Sequence, residues 1–322
     1  MQFNNKKLAI STTKSPMALA IAAAISGVIV QPAFALGEGN MCSPVLNTYT
    51  VTSASGDTSA GTLRAAILSA NADGGCSQID FSEAISSIQQ EQATAITGPL
   101  NIFGHGQGSL MLSSDAGDTI NSTGGDLHIS HLKISNSPGH GIYQQYGKLT
   151  VDNVLLDNNG TGINADTTFD TVVRNSTIIN SITNGGILFS NNGTGATLLI
   201  DKSDISNNAS AGNGGGFNAS GDHTTSIKIL DSTIAHNTSA AKGGGIYIGN
   251  VTSSEMSVII EQSTISGNEA GTYGGGIHFD DNATLASPFA IKSSTIVANI
   301  AGFSGAGMRH VGTNDGVTIE SS

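Results

Sequence analysis

The stretch STISGNEAGTYGGGIHF, residues 263–279, is poor in reactive side chains and rich in glycine, and the chain writes close variants of it several times. Aligned on their serine, the copies read VRNSTIIN (173–180), IDKSDISNN (200–208), ILDSTIAHN (229–237), IEQSTISGN (260–268) and IKSSTIVAN (291–299), with fainter copies at ISHLKISNS (129–137) and VDNVLLDNN (151–159). The second apolar anchor of each falls at Ile134, Leu156, Ile178, Ile205, Ile234, Ile265 and Ile296, at spacings of 22, 22, 27, 29, 31 and 31 residues. Each copy is followed by glycine and an apolar residue, as in GHGI (139–142), GGGF (214–217), GGGI (243–246), GGGI (274–277) and GAGM (305–308). A fixed internal period of this size decides the architecture before any single residue does.

Units of some 22 to 31 residues, made of short Ile, Val and Thr runs between Gly, Asn and Ser, lack the apolar period of a helix and are too small to fold alone. They must stack. Stacking predicts a parallel β-solenoid in which each repeat is one coil and pairs with the coils above and below, about 4.8 Å apart. Inward positions then form columns: an aliphatic one at Ile178, Ile205, Ile234, Ile265 and Ile296, and an asparagine one at Asn159, Asn208, Asn237, Asn268 and Asn299, with Ser181 breaking the second. Stacked asparagines satisfy one another from rung to rung, so a polar residue can occupy a buried turn. The longer copies grow mainly between the Asn and the Gly, so residues such as EAGTY (269–273) are expected to bulge as loops and carry variable binding surface.

The ends of the chain speak of export. Lys6, Lys7 and Lys14 precede an apolar run, Met17–Val30, and Ala33-Phe34-Ala35 has the small-x-small form of a signal-peptidase site, so residues 1–35 read as a signal peptide of a bacterial exported protein. The run is too short for a membrane span, and no transmembrane segment is expected in the mature part. The whole chain carries a formal −12; without the leader, nine basic residues face 24 acidic ones, a net −15 that disfavours nucleic acid and anionic lipid. Tryptophan is absent and aromatics are 5% of residues, which argues against an aromatic sugar-binding platform but leaves room for a loop-lined groove. Two cysteines, Cys42 and Cys76, follow the leader, and an exported location predicts a disulfide between them. VTIESS (317–322) aligns with VIIEQS (258–263) and stops in mid-repeat, so the chain reads as part of a longer protein.

Between leader and repeats, residues 49–82 predict a strand (Tyr49–Thr52), a helix over about Thr62–Asn71 with Leu63, Ala66, Ile67 and Ala70 on one face, and a strand (Gln78–Phe81), together covering the first coil. Residues 36–100 are thus read as an N-terminal cap and 101–322 as the repeat domain. GTLRAAILSAN (61–71) resembles the N-terminal module of bacterial extracellular β-helix proteins named for a Cys-Ser-Leu-Arg-Glu-Ala motif, matching it at Leu63, Arg64, Ala66, Ile67 and Asn71, with Ala65 in place of Glu and Thr62 in place of Ser. The I-x-x-N and GGGI pairing is similar to the repeats of chlamydial polymorphic outer-membrane proteins, with Ile for their Phe. The resemblance implies an all-β fold, a right-handed parallel β-helix of the pectate-lyase-like, single-stranded kind with a small cap containing one short helix, placed outside the cell or at the outer-membrane surface. It implies no reaction.

Chemistry has to be argued from sites. GHG occurs at 104–106 and 139–141, as in a polygalacturonase catalytic region, but the acidic pair and the RIK-like triplet of that family are missing. Asp152, Arg174 and Asp201, on the outward position before the repeat serine, would sit on successive coils as a lyase with a calcium-bound acid and an Arg base requires; the series continues as Leu230, Glu261 and Lys292, the mixture of an ordinary solvated face. Asp280, Asp281 and Asn282 could hold calcium in a loop, though an acidic turn explains them; no other cofactor is expected. Asn-x-Ser/Thr recurs at Asn121, Asn159, Asn175, Asn192, Asn208, Asn218, Asn237, Asn250 and Asn282, and turn composition with ladder asparagines accounts for it. No residue is therefore assigned as catalytic or metal-binding. The first functional expectation is an exported scaffold or adhesin-like surface that meets a cell-surface or matrix glycan or protein through its repeat loops; the alternative is a polysaccharide lyase or glycosidase acting on acidic glycans.

Overall fold

The computed structural model describes residues 42–166, 169–190, 195–220, 224–251, 256–281, 289–312 and 317–320, all within one compact unit, Gly39–Ser322. The leader 1–35, and Asn192 and Asn282 among the sequons, lie outside the described residues.

Among the described residues the chain is an all-β parallel solenoid with one short helix. Coil after coil returns to three faces, building sheets of 11, 9 and 9 strands, and a fourth sheet of four strands is added in the longer coils. The first sheet begins where Asn47–Val51 pairs with Ser77–Phe81 and runs through to Val317–Glu320. Alternation within a strand decides what is inside: Asp170–Arg174 buries Thr171 and Val173 and turns Asp170, Val172 and Arg174 outward.

Ile134, Leu156, Ile178, Ile205, Ile234 and Ile265 form one column of the third sheet, each in register with the next and each fully buried. Ile296 continues it and is partly buried against the core. Facing columns come from the first sheet (Val173, Ile200, Ile229, Ile260, Ile291) and from the second (Ile163, Ile187, Phe217, Ile246, Ile277). Each such side chain contributes about 1.5–3 kcal/mol on burial.

Two polar ladders seal the corners. Asn208 Nδ2 donates to Asn237 Oδ1, Asn237 Nδ2 to Asn268 Oδ1 and Asn268 Nδ2 to Asn299 Oδ1, each at 3.0 Å, and the same amides donate at 2.9 Å to the carbonyls of Ile178, Ile205 and Ile234. Asn159 accepts from the Ser137 N–H and donates to Ile134 O. Ser181 interrupts the row: its N–H reaches Asn208 Oδ1 at 3.0 Å, while its own buried hydroxyl has no partner. The second ladder is the repeat serine itself: Ser203, Ser232, Ser263 and Ser294 each accept the N–H of the serine one coil earlier and donate to the carbonyl two residues back.

These ladders explain why I-x-x-N and GGG travel together. A Cβ on Gly216, Gly245 or Gly276 would stand 2.8–2.9 Å from the amide nitrogen of Asn237, Asn268 or Asn299 and 2.4–2.8 Å from a carbonyl oxygen of the next coil. The residue before each ladder asparagine turns the corner in the left-handed region, as at Asn158 (φ 56°), Asn207 (φ 56°) and Gly267 (φ 63°), which favours Asn and Gly there. The expectation that EAGTY bulges as a loop is corrected: Glu269–Ala270 is a strand of the fourth sheet, paired with Thr238–Ser239 and Ile300–Ala301. Adjacent coils are lengthened alike there, so the added residues pair instead of splaying.

At the N-terminal end a helix, Leu63–Ala72, lays Leu63, Ala66, Ile67 and Ala70 on the core. Thr62 caps it, accepting the Ala65 N–H at 3.2 Å. Asn71 clamps it to the coil below, donating to Ala95 O and accepting from the Thr97 N–H. Cys42 and Cys76 form a disulfide across 34 residues. No helix among the described residues is long and apolar enough to cross a membrane.

Candidate functional site

The stack brings Asp152, Arg174 and Asp201 side by side on the outer face of the first sheet, in register. Their chemistry is spent on one another: Arg174 Nη2 lies 2.9 Å from Asp152 Oδ2, and Asn175 Nδ2 donates to Asp152 Oδ1. The guanidinium offered by the sequence as a base is thus engaged with the neighbouring acid. On the same face, one row along from Asp152 and Arg174, His128 is buried edge-on to Phe103, and burial, with the Arg174 and His131 charges, holds its pKa down at about 4 against the pull of Asp152.

Both GHG histidines are engaged. His105 Nε2 meets Ile85 O at 3.0 Å. His140 Nδ1 is 2.8 Å from Asp118 Oδ1, and its Nε2 is 3.2 Å from Asn164 Nδ2. With an amide donor on Nε2, the proton sits on Nδ1 and is donated to Asp118. Burial alone would raise Asp118, but the hydrogen bonds from His140 outweigh it and hold this carboxyl below its usual range. No acidic partner set completes the pair among the described residues, where no group of three or more His, Cys, Asp and Glu is arranged around a common point for a metal. Beside the disulfide, a groove of about 520 Å³ is lined by Pro44, Leu46, Pro99, Asp126 and Lys148 among others; it gathers no aromatic or histidine side chain.

A different surface gathers more. On the second sheet Tyr247, His278 and Arg309 are register partners on three adjacent strands. Lys242 and Tyr273 hold the equivalent place just before the GGG turns, where the Gly243 N–H bonds Tyr273 O. Two positions beyond His278 stands Asp280. Arg309 lays its guanidinium over the Tyr273 ring at 3.6 Å from the centroid, and Tyr273 leans on Phe303 with centroids 5.4 Å apart. Lys242 Nζ meets Asp280 Oδ2 at 2.7 Å. Tyr247 stacks on His278, 5.7 Å and 11° between the rings. The Tyr247 ring lies over its own strand at Gly249, where a Cβ would come 2.1 Å from the hydroxyl oxygen and push the ring aside.

The electrostatics separate support from contact. His278 is fully buried, and among the described residues neither ring nitrogen has a hydrogen-bond partner; Asp280 Oδ2 stands 3.6 Å from Nε2. Burial, and the charges of Lys242 and Arg309, keep its pKa below the usual imidazole value against Asp280, so it is neutral. Burial pushes Asp280 up, but the bond and charge of Lys242 prevail and the carboxyl stays ionised, below its usual range. Burial first, then the Asp280 charge, raises the Tyr247 phenol. Phe303, on the last coil, is 72% exposed, and Lys242 and Arg309 are half-buried; among the described residues Arg309 forms no hydrogen bond or ion pair.

The sequence singled out two parts of this surface for other reasons: Tyr273 inside EAGTY, and Asp280 as a calcium candidate. Asp280 instead pairs with Lys242; the side chain of Asp281 and all of Asn282 lie outside what is described. The residues missed were legible in the alignment, since Tyr247, His278 and Arg309 each follow the apolar residue that closes a glycine turn.

No protein-family model matches the chain, and no curated protein does. Among solved structures, the A-module of a mannuronan C-5 epimerase from Azotobacter vinelandii is similar, at 12% identity over 85% of this chain and 99% of that one, with a TM-score of 0.40.

Proposed function

We propose that the protein is an exported scaffold, secreted or displayed at the cell surface, that binds a cell-surface or matrix glycan on the outer face of its second sheet. The observation that carries this reading is the Arg309–Tyr273–Phe303 grouping, two aromatic rings beside a guanidinium that lies 3.6 Å from the Tyr273 centroid. Sugar sites are commonly built from such an apolar wall with few polar groups, and a guanidinium stacked on an aromatic loses less freedom when it then takes a hydrogen bond. The ladders consume the polar groups inside the coil, so recognition falls to the outer rows. Binding of the whole chain to an immobilised glycan panel tests it: binding weakened at least tenfold by Tyr273→Ala or Phe303→Ala, with unchanged melting, supports the surface, and binding indifferent to both refutes it.

The alternative, an enzyme on acidic glycans, draws on the same crowding of Lys242, Asp280, His278 and Tyr247 on adjacent coils. Incubation with pectin and alginate plus calcium separates the two. New reducing or unsaturated ends, lost on His278→Gln or Arg174→Ala, would replace the scaffold reading; inertness with retained binding supports it.

A further inference from the structure

We infer that His278 is an acid-operated switch: on taking a proton it claims the carboxylate of Asp280 and releases the ammonium of Lys242 to solvent. This holds whether or not the second-sheet face takes a glycan. The switch is built on one oxygen atom. Asp280 Oδ2 accepts from Lys242 Nζ at 2.7 Å and stands 3.6 Å from His278 Nε2, so it is bonded to one cation and just beyond bonding distance of a second nitrogen. Protonation puts a hydrogen on both ring nitrogens, so Nε2 becomes a donor whichever tautomer is present at neutral pH. The strand that carries His278 and Asp280, Ile277–Asp281, is paired on both edges, with Ile246–Val251 on one side and Met308–Val311 on the other.

The groups that face the imidazole are few. Tyr247 stacks on it from the strand before, with centroids 5.7 Å apart, and Tyr273 leans on it at 6.3 Å. The charges that reach it are those of Asp280, Lys242 and Arg309. One carboxylate thus faces two cations, and three once the ring is protonated. Solvation decides which keeps it. The His278 side chain has no exposure and its nitrogens have no other partner among the described residues, and a buried charge left unpaired is far costlier than an ion pair broken in water. Lys242, with 35% of its side chain exposed, exchanges the carboxylate for water. Burial raises Asp280, but the Lys242 bond outweighs it and keeps this carboxyl below its usual range. It is therefore still a carboxylate when the ring is titrated, and the outcome is an ammonium uncovered on the outer face in acid.

Nuclear magnetic resonance of the whole chain, labelled in histidine and lysine, follows both partners through one acid titration, with dichroism checking that each protein stays folded. His278 and Lys242 are assigned by the resonances lost in His278→Gln and Lys242→Gln. The expected result is that Lys242 Nζ leaves its ion-paired position with the same midpoint as His278. In His278→Gln, Lys242 stays paired until Asp280 itself is protonated, so its midpoint falls by at least about one pH unit, into the carboxylate range. Lys242→Gln, which leaves Asp280 to His278 alone, raises the His278 midpoint, and Asp280→Asn lowers it. A buried histidine without the hand-over would also respond to Asp280→Asn but would leave Lys242 unmoved. A Lys242 midpoint unchanged by His278→Gln, a His278 that stays neutral until the chain unfolds, or a His278 midpoint lowered by Lys242→Gln would overturn the switch. Should His278→Gln fail to fold, the two midpoints in the unaltered chain decide: coincidence supports the switch, and departure of Lys242 only with carboxylate protonation overturns it.

Discussion

Replacing Asn237 by alanine removes one rung of a buried polar ladder, and the structure sets the size of the loss. Its Nδ2 donates to Ile205 O and Asn268 Oδ1, and its Oδ1 accepts from the backbone N–H and the side-chain amide of Asn208. After Asn237→Ala, Asn208 Nδ2 keeps Ile178 O and Asn268 Oδ1 keeps the Asn237 N–H. The Asn208 N–H loses the one partner it has among the described residues. An orphaned buried donor costs about 1–3 kcal/mol and each of the three further lost bonds about 0.5–1.5 kcal/mol net, so the loss should be at least about 2.5 kcal/mol. Urea unfolding followed by far-ultraviolet dichroism measures it, with Glu269→Ala, whose side chain is exposed on an inner strand of the fourth sheet, staying within about 0.5 kcal/mol. Asn237→Asp sharpens the test. It keeps the acceptor for Asn208 but sets an oxygen against Ile205 O and Asn268 Oδ1, so the native state holds the carboxyl protonated and raises its pKa. A carboxyl raised above its unfolded value is penalised above that value and relieved as pH falls; the Asp variant should recover toward wild type between pH 7 and pH 4. Equal effects of Asn237→Ala and Glu269→Ala, or an Asp variant that weakens on acidification relative to wild type, would refute the ladder energetics.

Ser181→Asn should complete the row. Gly162 stands opposite it as Gly186 stands opposite Asn208, Asn208 Oδ1 is already in place for a donor, and the unpartnered Ser181 hydroxyl disappears; a gain of about 1 kcal/mol in urea unfolding is expected, and a loss would show that this coil is spaced differently. His128 predicts a pH dependence. Its native pKa near 4 lies below the unfolded value of about 6.5, so its contribution is complete above 6.5 and is lost as pH falls toward 4; between pH 7 and 5 it should cost about 2 kcal/mol of stability that His128→Gln does not lose over the same interval. Matching pH profiles for the two proteins would mean that His128 is protonated in the folded chain.

The solenoid was legible because its repeat is written in residue types that tolerate few substitutes. Only an aliphatic fills the Ile234–Ile265 column, and only glycine leaves room for the asparagine amide beside Gly245. The helix was legible from Leu63, Ala66, Ile67 and Ala70, one residue out of step because Thr62 is its cap and not its first turn. The fourth sheet was not, since Glu269–Ala270 and Thr238–Ser239 carry no strand pattern and pair because neighbouring coils are lengthened equally. The patch escaped for another reason. The repeat was aligned on what recurs, and Tyr247, His278 and Arg309 occupy a position where every coil differs. Outer rows vary where stacking imposes nothing, which is where a ligand can be read.

The most direct measurement is a crystal structure of the chain soaked with a linear oligosaccharide. The account predicts sugar density on the outer face of the second sheet, against Tyr273 and beside Lys242 and Asp280. An oligosaccharide seated instead on the first sheet, over Asp152, Arg174 and Asp201, would contradict it.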